Sequence, residues 1–76
     1  MEVKFTERLK ELMAEKGWDE EELGARLDAT PRLVRRFLNG ESRPKLVLLV
    51  EMSLLFKVSL DYLLGFSDDR KPKKRK

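Results

Sequence analysis

Apolar residues recur along this chain at the spacing that places them on one face of an α-helix. The first such stripe contains Phe5, Leu9, Leu12 and Met13, and Gly17 is expected to end its helix as a C-cap. No segment alternates apolar and polar residues for long enough to predict a β-strand. The pattern therefore predicts an all-α protein.

Capping residues mark where the second helix begins. Asp19 is expected to be its N-cap, with Glu22 at the third helical position of a capping box. Leu23 and Leu27 form its apolar face, and the helix is expected to end near Leu27.

A third helix follows after a very short connection. Thr30 is expected to be its N-cap, and Pro31 occupies the first helical position, where its missing N–H costs nothing. The helix is expected to end at Asn39–Gly40. Only residues 28–29 separate helix two from Thr30, so the two helices must turn sharply against each other.

Two further helices complete the predicted fold. The fourth is almost wholly apolar and runs from about Lys45 to Phe56, and the fifth covers 60–64, capped by Ser59 and ended by Gly65. Residues 1–66 are thus predicted to form a compact five-helix bundle. Residues 67–76 are polar and basic, and are predicted to be a flexible tail.

Composition excludes several classes of function. The 76 residues suffice for one domain, and they include neither Cys nor His. Disulfides, the usual zinc sites and the usual catalytic triads are therefore not expected, and we expect no enzyme, metal, cofactor or small-molecule ligand. No apolar run is long enough to span a bilayer and no signal peptide is recognisable, which predicts a cytoplasmic or nucleoid-associated protein.

The net charge of +3 conceals an uneven distribution of charge. Residues 70–76 contain six Lys or Arg and no acid, which leaves 11 basic against 14 acidic residues in the remainder. The overall charge is therefore weak evidence for binding nucleic acid. What matters is where the positive residues of the helical part lie.

The third helix has an apolar face and a basic face. At 100° per residue, Phe37 and Leu38 fall on the same side as Val34, whereas Arg32 and Arg36 fall about 160° and 200° away. Arg35 lies about 100° away, on the flank. An arginine can donate two hydrogen bonds to guanine or to a phosphate. An arginine-rich helix face can also be a solvent-exposed surface with no role in binding. Here the helix follows a short capped helix across a tight turn, and that combination favours DNA binding.

The sequence resembles the lambda-repressor/Cro-like helix-turn-helix family, also called the XRE family, from residue 5 to residue 65. The matching pieces occur in order and without gaps. They are Glu15–Trp18, Glu21–Leu23, Leu27, Thr30, Val34, Asn39–Gly40, Arg43–Pro44, Leu46 and Val58–Gly65.

The resemblance implies that helices two and three form a DNA-binding unit, with helix three in the major groove of double-stranded DNA, usually as a homodimer on a palindromic site. It implies a transcriptional regulator that is repressor-like in the sense of the family. The residues expected to face the bases are Pro31, Arg32, Leu33 and Arg36. Those expected to face the DNA backbone are Glu20, Thr30, Arg35, Asn39, Arg43 and Lys45.

Three positions depart from the family pattern. Glu20 replaces the usual Gln at the start of helix two, where a carboxylate repels phosphate but can accept a hydrogen bond from cytosine N4. Asp28 replaces the usual Gly between the helices, and Leu38 stands where Glu is common. Acids at 19–22 also suit the helix dipole.

Helix four carries more apolar surface than one core needs. Leu46, Leu49, Met52 and Phe56 form the expected inward stripe, while Val47, Val50 and Leu54 form a second. The small domain can wrap around this helix and bury both stripes. Alternatively, the second stripe is the contact surface for a second copy or another protein.

The remaining alternatives concern the tail and the function class. Residues 71–76 resemble a nuclear localisation signal. Two other interpretations are a flexible basic arm that attracts DNA phosphates and a solvated tail with no role.

The function class also has an alternative. The chain can be a protein-interaction module, such as an antitoxin or adaptor on the same fold, instead of a DNA-binding regulator. The absence of Ile and Gln fits either an engineered chain or a natural bias.

Overall fold

The computed structural model describes residues 4–71, and within that range the protein is entirely helical. There are five α-helices and no strand among these residues, which confirms the predicted all-α class. The helices are α1 Phe5–Lys16, α2 Glu20–Leu27, α3 Pro31–Leu38, α4 Leu46–Phe56 and α5 Leu60–Leu64.

Side-chain caps begin three of the helices where the sequence places them. Each cap accepts a hydrogen bond from the backbone N–H three positions on: Asp19 from Glu22 at 2.8 Å, Thr30 from Leu33 at 3.1 Å, and Ser59 from Tyr62 at 2.9 Å. The capping box of α2 forms only in part. Its Glu22 carboxylate pairs with Arg26 at 2.8 Å, one turn further along the exposed face, instead of turning back to Asp19.

One apolar core joins all five helices. Phe5 of α1 meets Phe37 of α3 edge-to-face, with ring centroids 6.1 Å apart. Trp18, between α1 and α2, packs against Phe56 of α4 at 5.4 Å. The buried apolar residues are Phe5, Leu9, Leu12, Met13, Leu23, Leu27, Val34, Phe37, Met52, Phe56, Val58, Tyr62 and Leu63.

The tight turn between α2 and α3 depends on a close backbone contact at Gly24. A Cβ on Gly24 would lie 3.0 Å from the Ala29 carbonyl oxygen and 3.3 Å from the Pro31 nitrogen. The Ala29 N–H donates to the Gly24 carbonyl at 2.7 Å, and Asp28 takes the left-handed conformation with φ 57°. The start of α3 therefore lies directly against α2.

Helix α4 does not bury both of its apolar stripes. Met52 and Phe56 are buried, but Leu46 is 67% exposed, so its predicted inward position is wrong. Leu46 is the first residue of α4, where the helix emerges from the preceding loop and no earlier turn covers it. Within the described residues, Val47 and Leu54 are each 71% exposed, which rules out the interpretation that the domain wraps around the second stripe.

The chain after α5 packs back onto the helices, and we call residues 66–71 the C-terminal strap. The Ser59 N–H donates to the Arg70 carbonyl at 2.8 Å, and the Ser59 hydroxyl donates to the Asp69 carbonyl at 3.0 Å. Arg8 of α1 pairs with Asp68 at 2.9 Å. Part of the segment assigned to the flexible tail thus contacts the bundle, and residues 72–76 lie outside the described residues.

The helices from residue 4 to residue 71 are too short or too polar to cross a bilayer.

Candidate nucleic-acid interface

Helix α3 presents its arginines on the side opposite the core. Val34 and Phe37 are buried, whereas Pro31, Arg32 and Arg36 are exposed. The cap at Thr30 and the proline at the first helical position determine where α3 begins, and hence which residues face outward. The two faces predicted from the helical wheel are confirmed.

One flank of this face is bordered by the loop that leads to α4. Arg43 and Lys45 are exposed in this loop, close to a groove of about 420 Å³ that Leu33 and Val47 also line. Hydrogen bonds from the loop to the end of α3 hold its start, including the Glu41 N–H to the Arg36 carbonyl at 2.9 Å. The outward face is therefore positively charged along this edge.

The opposite flank is bordered by the start of α2. Nε of Arg35 donates a hydrogen bond to Oε1 of Glu20 at 3.1 Å, and Nη2 forms an ion pair with the same oxygen at 2.9 Å. The hydrogen bond and the charge of Glu20 raise the pKa of Arg35 further, so the guanidinium remains charged. Three more acids, Asp19, Glu21 and Glu22, lie beside this pair at the start of α2. This edge of the face is therefore acidic.

Arg36 remains available between the two edges. Its closest acidic partner is Glu41, and the Nε–Oε1 distance of 3.9 Å is at the limit for an ion pair. Both side chains are more than half exposed, and such pairs contribute little to the free energy of folding. Arg36 can leave Glu41 for another acceptor at small cost.

The remaining predicted backbone contacts lie close to α3. Thr30 is exposed, and its hydroxyl oxygen is engaged by the Leu33 N–H. Asn39 is exposed at the C-cap of α3. The residues predicted to face the bases therefore lie on one surface with Thr30, Asn39, Arg43 and Lys45. Glu20 and Arg35 contact each other along one edge of this surface.

Two features of the interface are absent from the sequence-based expectations. The first is the contact between Glu20 and Arg35, which joins residues 15 positions apart. The sequence signal for this contact was the presence of opposite charges at the start of helix two and on one flank of helix three. The close approach at Gly24 sets how α2 and α3 meet, and a lone glycine within a short predicted helix was its only sign.

The two short helices α2 and α3 are joined by a three-residue connection, and α3 carries its arginines on the outward side. This arrangement defines a helix-turn-helix DNA-binding domain, a class without enzymatic activity. A family model described as helix-turn-helix matches residues 9–63, and the chain belongs to that family, the lambda-repressor/Cro-like group.

Comparison with solved structures adds a similar protein. The fold matches the crystal structure of a transcriptional regulator from Listeria innocua with a TM-score of 0.83 and 27% sequence identity. The match covers 88% of this chain and 63% of the Listeria chain, so this protein spans less than two thirds of that regulator's length. No protein with curated functional information matches the sequence.

Proposed function

We propose that this domain is a transcriptional regulator of the repressor type that binds double-stranded DNA sequence-specifically, with α3 in the major groove. The observation that carries this proposal is the exposed Arg32 and Arg36 face opposite the buried Val34 and Phe37. A helix held by its core side and free on its basic side is the arrangement that major-groove recognition requires. The likeness to the Listeria regulator supports a role in transcription.

The proposed contacts divide into two groups. Arg32 and Arg36 donate to base edges, with Pro31 and Leu33 making apolar contacts beside them. Arg43 and Lys45 bind phosphates along the basic edge, and Thr30 and Asn39 add polar contacts at the two ends of α3. This binding needs neither a metal ion nor a cofactor. The protein would act where the chromosome is accessible, which in a bacterium is the cytoplasm.

We propose that two copies pair through the exposed apolar face of α4, formed by Val47, Val50 and Leu54. This face is continuous with the groove beside Arg43 and Lys45, because Val47 lines both. A second copy there would bury the apolar surface next to the phosphate-binding loop. A two-fold axis at this face would present two α3 helices to successive turns of the major groove.

A protein-interaction module is the second candidate function. Two observations favour it: the exposed apolar face of α4 and the acidic edge at the start of α2, which opposes phosphate binding. In this case α4 contacts a different protein, and the arginine face is only a solvated surface.

Binding to DNA of random sequence separates the two candidates. The DNA-binding proposal predicts a mobility shift with a random duplex at about 50 mM salt that weakens steeply as salt rises. Selection of bound sequences from a random library should then yield two related half-sites about one helical turn apart. Arg43→Ala should weaken the shift, whereas Lys10→Ala, a matched change at an exposed lysine of α1, should not. No shift at low salt would favour the interaction module.

A further inference from the structure

The contact between Glu20 and Arg35 uses only one oxygen of the carboxylate. Nε of Arg35 donates a hydrogen bond to Oε1, and Nη2 forms an ion pair with the same oxygen. Within residues 4–71, Oε2 of Glu20 accepts no hydrogen bond. Arg35 therefore holds the carboxylate in one orientation and leaves its second oxygen available.

Glu20 lies at the edge of the arginine face. Glu20 is the first residue of α2, and together with Pro31 and Arg35 it lines a groove between α2 and α3. Glu20 is half-buried, with 30% of its side chain exposed, and the groove that it lines lies beside the first turn of α3. Pro31 in that turn is one of the residues proposed to contact bases.

A carboxylate accepts hydrogen bonds and donates none. In the major groove it can bind the N4 amino group of cytosine or the N6 amino group of adenine, and the acceptors of guanine and thymine repel it. Because Arg35 balances its charge, the pair as a whole has no net charge toward the phosphates. A specific base contact is therefore compatible with this carboxylate, whereas a phosphate contact is not.

We propose that Glu20 determines specificity at one base pair of the DNA site by accepting a hydrogen bond from the amino group of cytosine or adenine. Arg35 is the positioning residue for that carboxylate and makes no phosphate contact of its own. This inference rests on the proposed DNA-binding function, and it assigns to α2 a part in base selection that is otherwise carried by α3.

The test compares base preferences, position by position, for the parent, Glu20→Gln and Arg35→Ala. Library selection followed by titration of single-base variants of the selected duplex gives these preferences. Glu20→Gln should keep binding to the best sequence within a few-fold and lose about tenfold in discrimination at one position, because a glutamine also donates. Arg35→Ala should weaken discrimination at the same position.

Two further variants separate positioning from charge. Arg35→Lys keeps the positive charge but has no group that can replace the Nε hydrogen bond and the Nη2 ion pair together, so it should relax discrimination at the same base position. Glu21→Gln is the matched control, since it removes an exposed acid from the same turn and should leave every base preference unchanged.

The outcomes distinguish this inference from the proposed function. If Glu20→Gln strengthens binding to all sequences equally, Glu20 acts only by repelling phosphate; the inference is then wrong and DNA binding stands. The inference is also wrong if Arg35→Ala alters salt dependence alone, because Arg35 would then be a phosphate ligand. A parent protein that shifts no duplex at low salt overturns the proposed function and the inference with it.

Discussion

Arg70 of the C-terminal strap binds Glu15 of α1 through two hydrogen bonds that join positions 55 residues apart. The Nη1–Oε1 distance is 2.9 Å and the Nη2–Oε2 distance is 2.5 Å. The same guanidinium also donates to Glu11 and lies 5.0 Å from the centroid of the Tyr62 ring. One side chain thus connects the strap with α1 and α5.

The first prediction concerns the acid stability of these contacts. Hydrogen bonds from Tyr62 and then Arg70 lower the pKa of Glu11, and a hydrogen bond from Arg70 lowers the pKa of Glu15. A carboxylate whose pKa is lower in the folded state contributes stability above its unfolded pKa of about 4.3. That contribution disappears as pH falls through the folded pKa, so the melting temperature should fall in acid.

Arg70→Ala tests this prediction by removing the partner. The variant should be less stable than the parent at pH 7, by about 0.5–1 kcal/mol for the missing interaction with the Tyr62 ring. Its melting temperature should also depend less on pH below about 4.3, because Glu15 no longer has its ion pair and Glu11 has one partner fewer. Parallel curves for the two proteins would mean that the ion pairs of Arg70 with the two glutamates do not contribute to stability in solution.

The second prediction concerns the close contact at Gly24. Gly24→Ala adds a methyl group 3.0 Å from the Ala29 carbonyl oxygen, and the nearest atoms all belong to the backbone of residues 29–31, which leaves little room to adjust. Overpacking of about 1–3 kcal/mol should outweigh the gain of about 1 kcal/mol in helix propensity. Thermal or urea unfolding should therefore show a net decrease in stability.

Ala25→Gly is the matched control for Gly24→Ala. Ala25 is exposed on the next position of α2, so this change reports helix propensity with little effect on packing. If Gly24→Ala proves more stable than the parent, propensity dominates and the contact between α2 and α3 is looser than the structure shows.

Helix boundaries could be predicted from the sequence because they depend on local chemistry. Asp19, Thr30 and Ser59 act as caps through bonds that span only three residues, so a short window of sequence contains the whole signal. The buried and exposed faces of α3 followed from its periodicity for the same reason.

The features that the sequence did not predict depend on packing between distant segments. The wheel of α4 placed Leu46 inward, but no other helix covers that end of α4. The strap was predicted as part of a tail because its composition is polar, yet Arg70 finds partners on α1 that only the folded chain brings near. The same holds for the orientation of Arg35 toward Glu20.

The third prediction concerns the apolar face of α4. Val50→Glu and Leu54→Glu should each convert a dimer into a monomer in sedimentation experiments at micromolar concentration, because a carboxylate at the interface must lose its hydration. Both residues are exposed in the single chain, so neither change should unfold it. Ala14→Glu, at an exposed position of α1, should leave the mass unchanged. If both variants sediment like the parent, α4 is not the dimer contact.

The fourth prediction concerns residues 72–76. Deleting this basic segment should weaken binding to all DNA sequences by a similar factor. The logarithm of the binding constant should also fall less steeply with the logarithm of the salt concentration, by about one unit of slope for each phosphate that the shortened chain no longer neutralises. The deletion retains Arg70 and hence the bonds between the strap and α1, so thermal stability should not change. Weaker binding to one DNA sequence alone would show that the segment contributes to specificity, and unchanged binding would leave it a solvated tail.

The central claim is that the outward arginines of α3 select the DNA sequence, and Arg36→Ala tests it most directly. We measure binding of the parent, Arg36→Ala and Arg43→Ala to the selected duplex and to its single-base variants. Arg36→Ala should lose about 1–3 kcal/mol on the selected duplex and relax discrimination at one base pair, whereas Arg43→Ala should weaken all duplexes alike. If Arg36→Ala binds every duplex as tightly as the parent, α3 does not recognise DNA through this face.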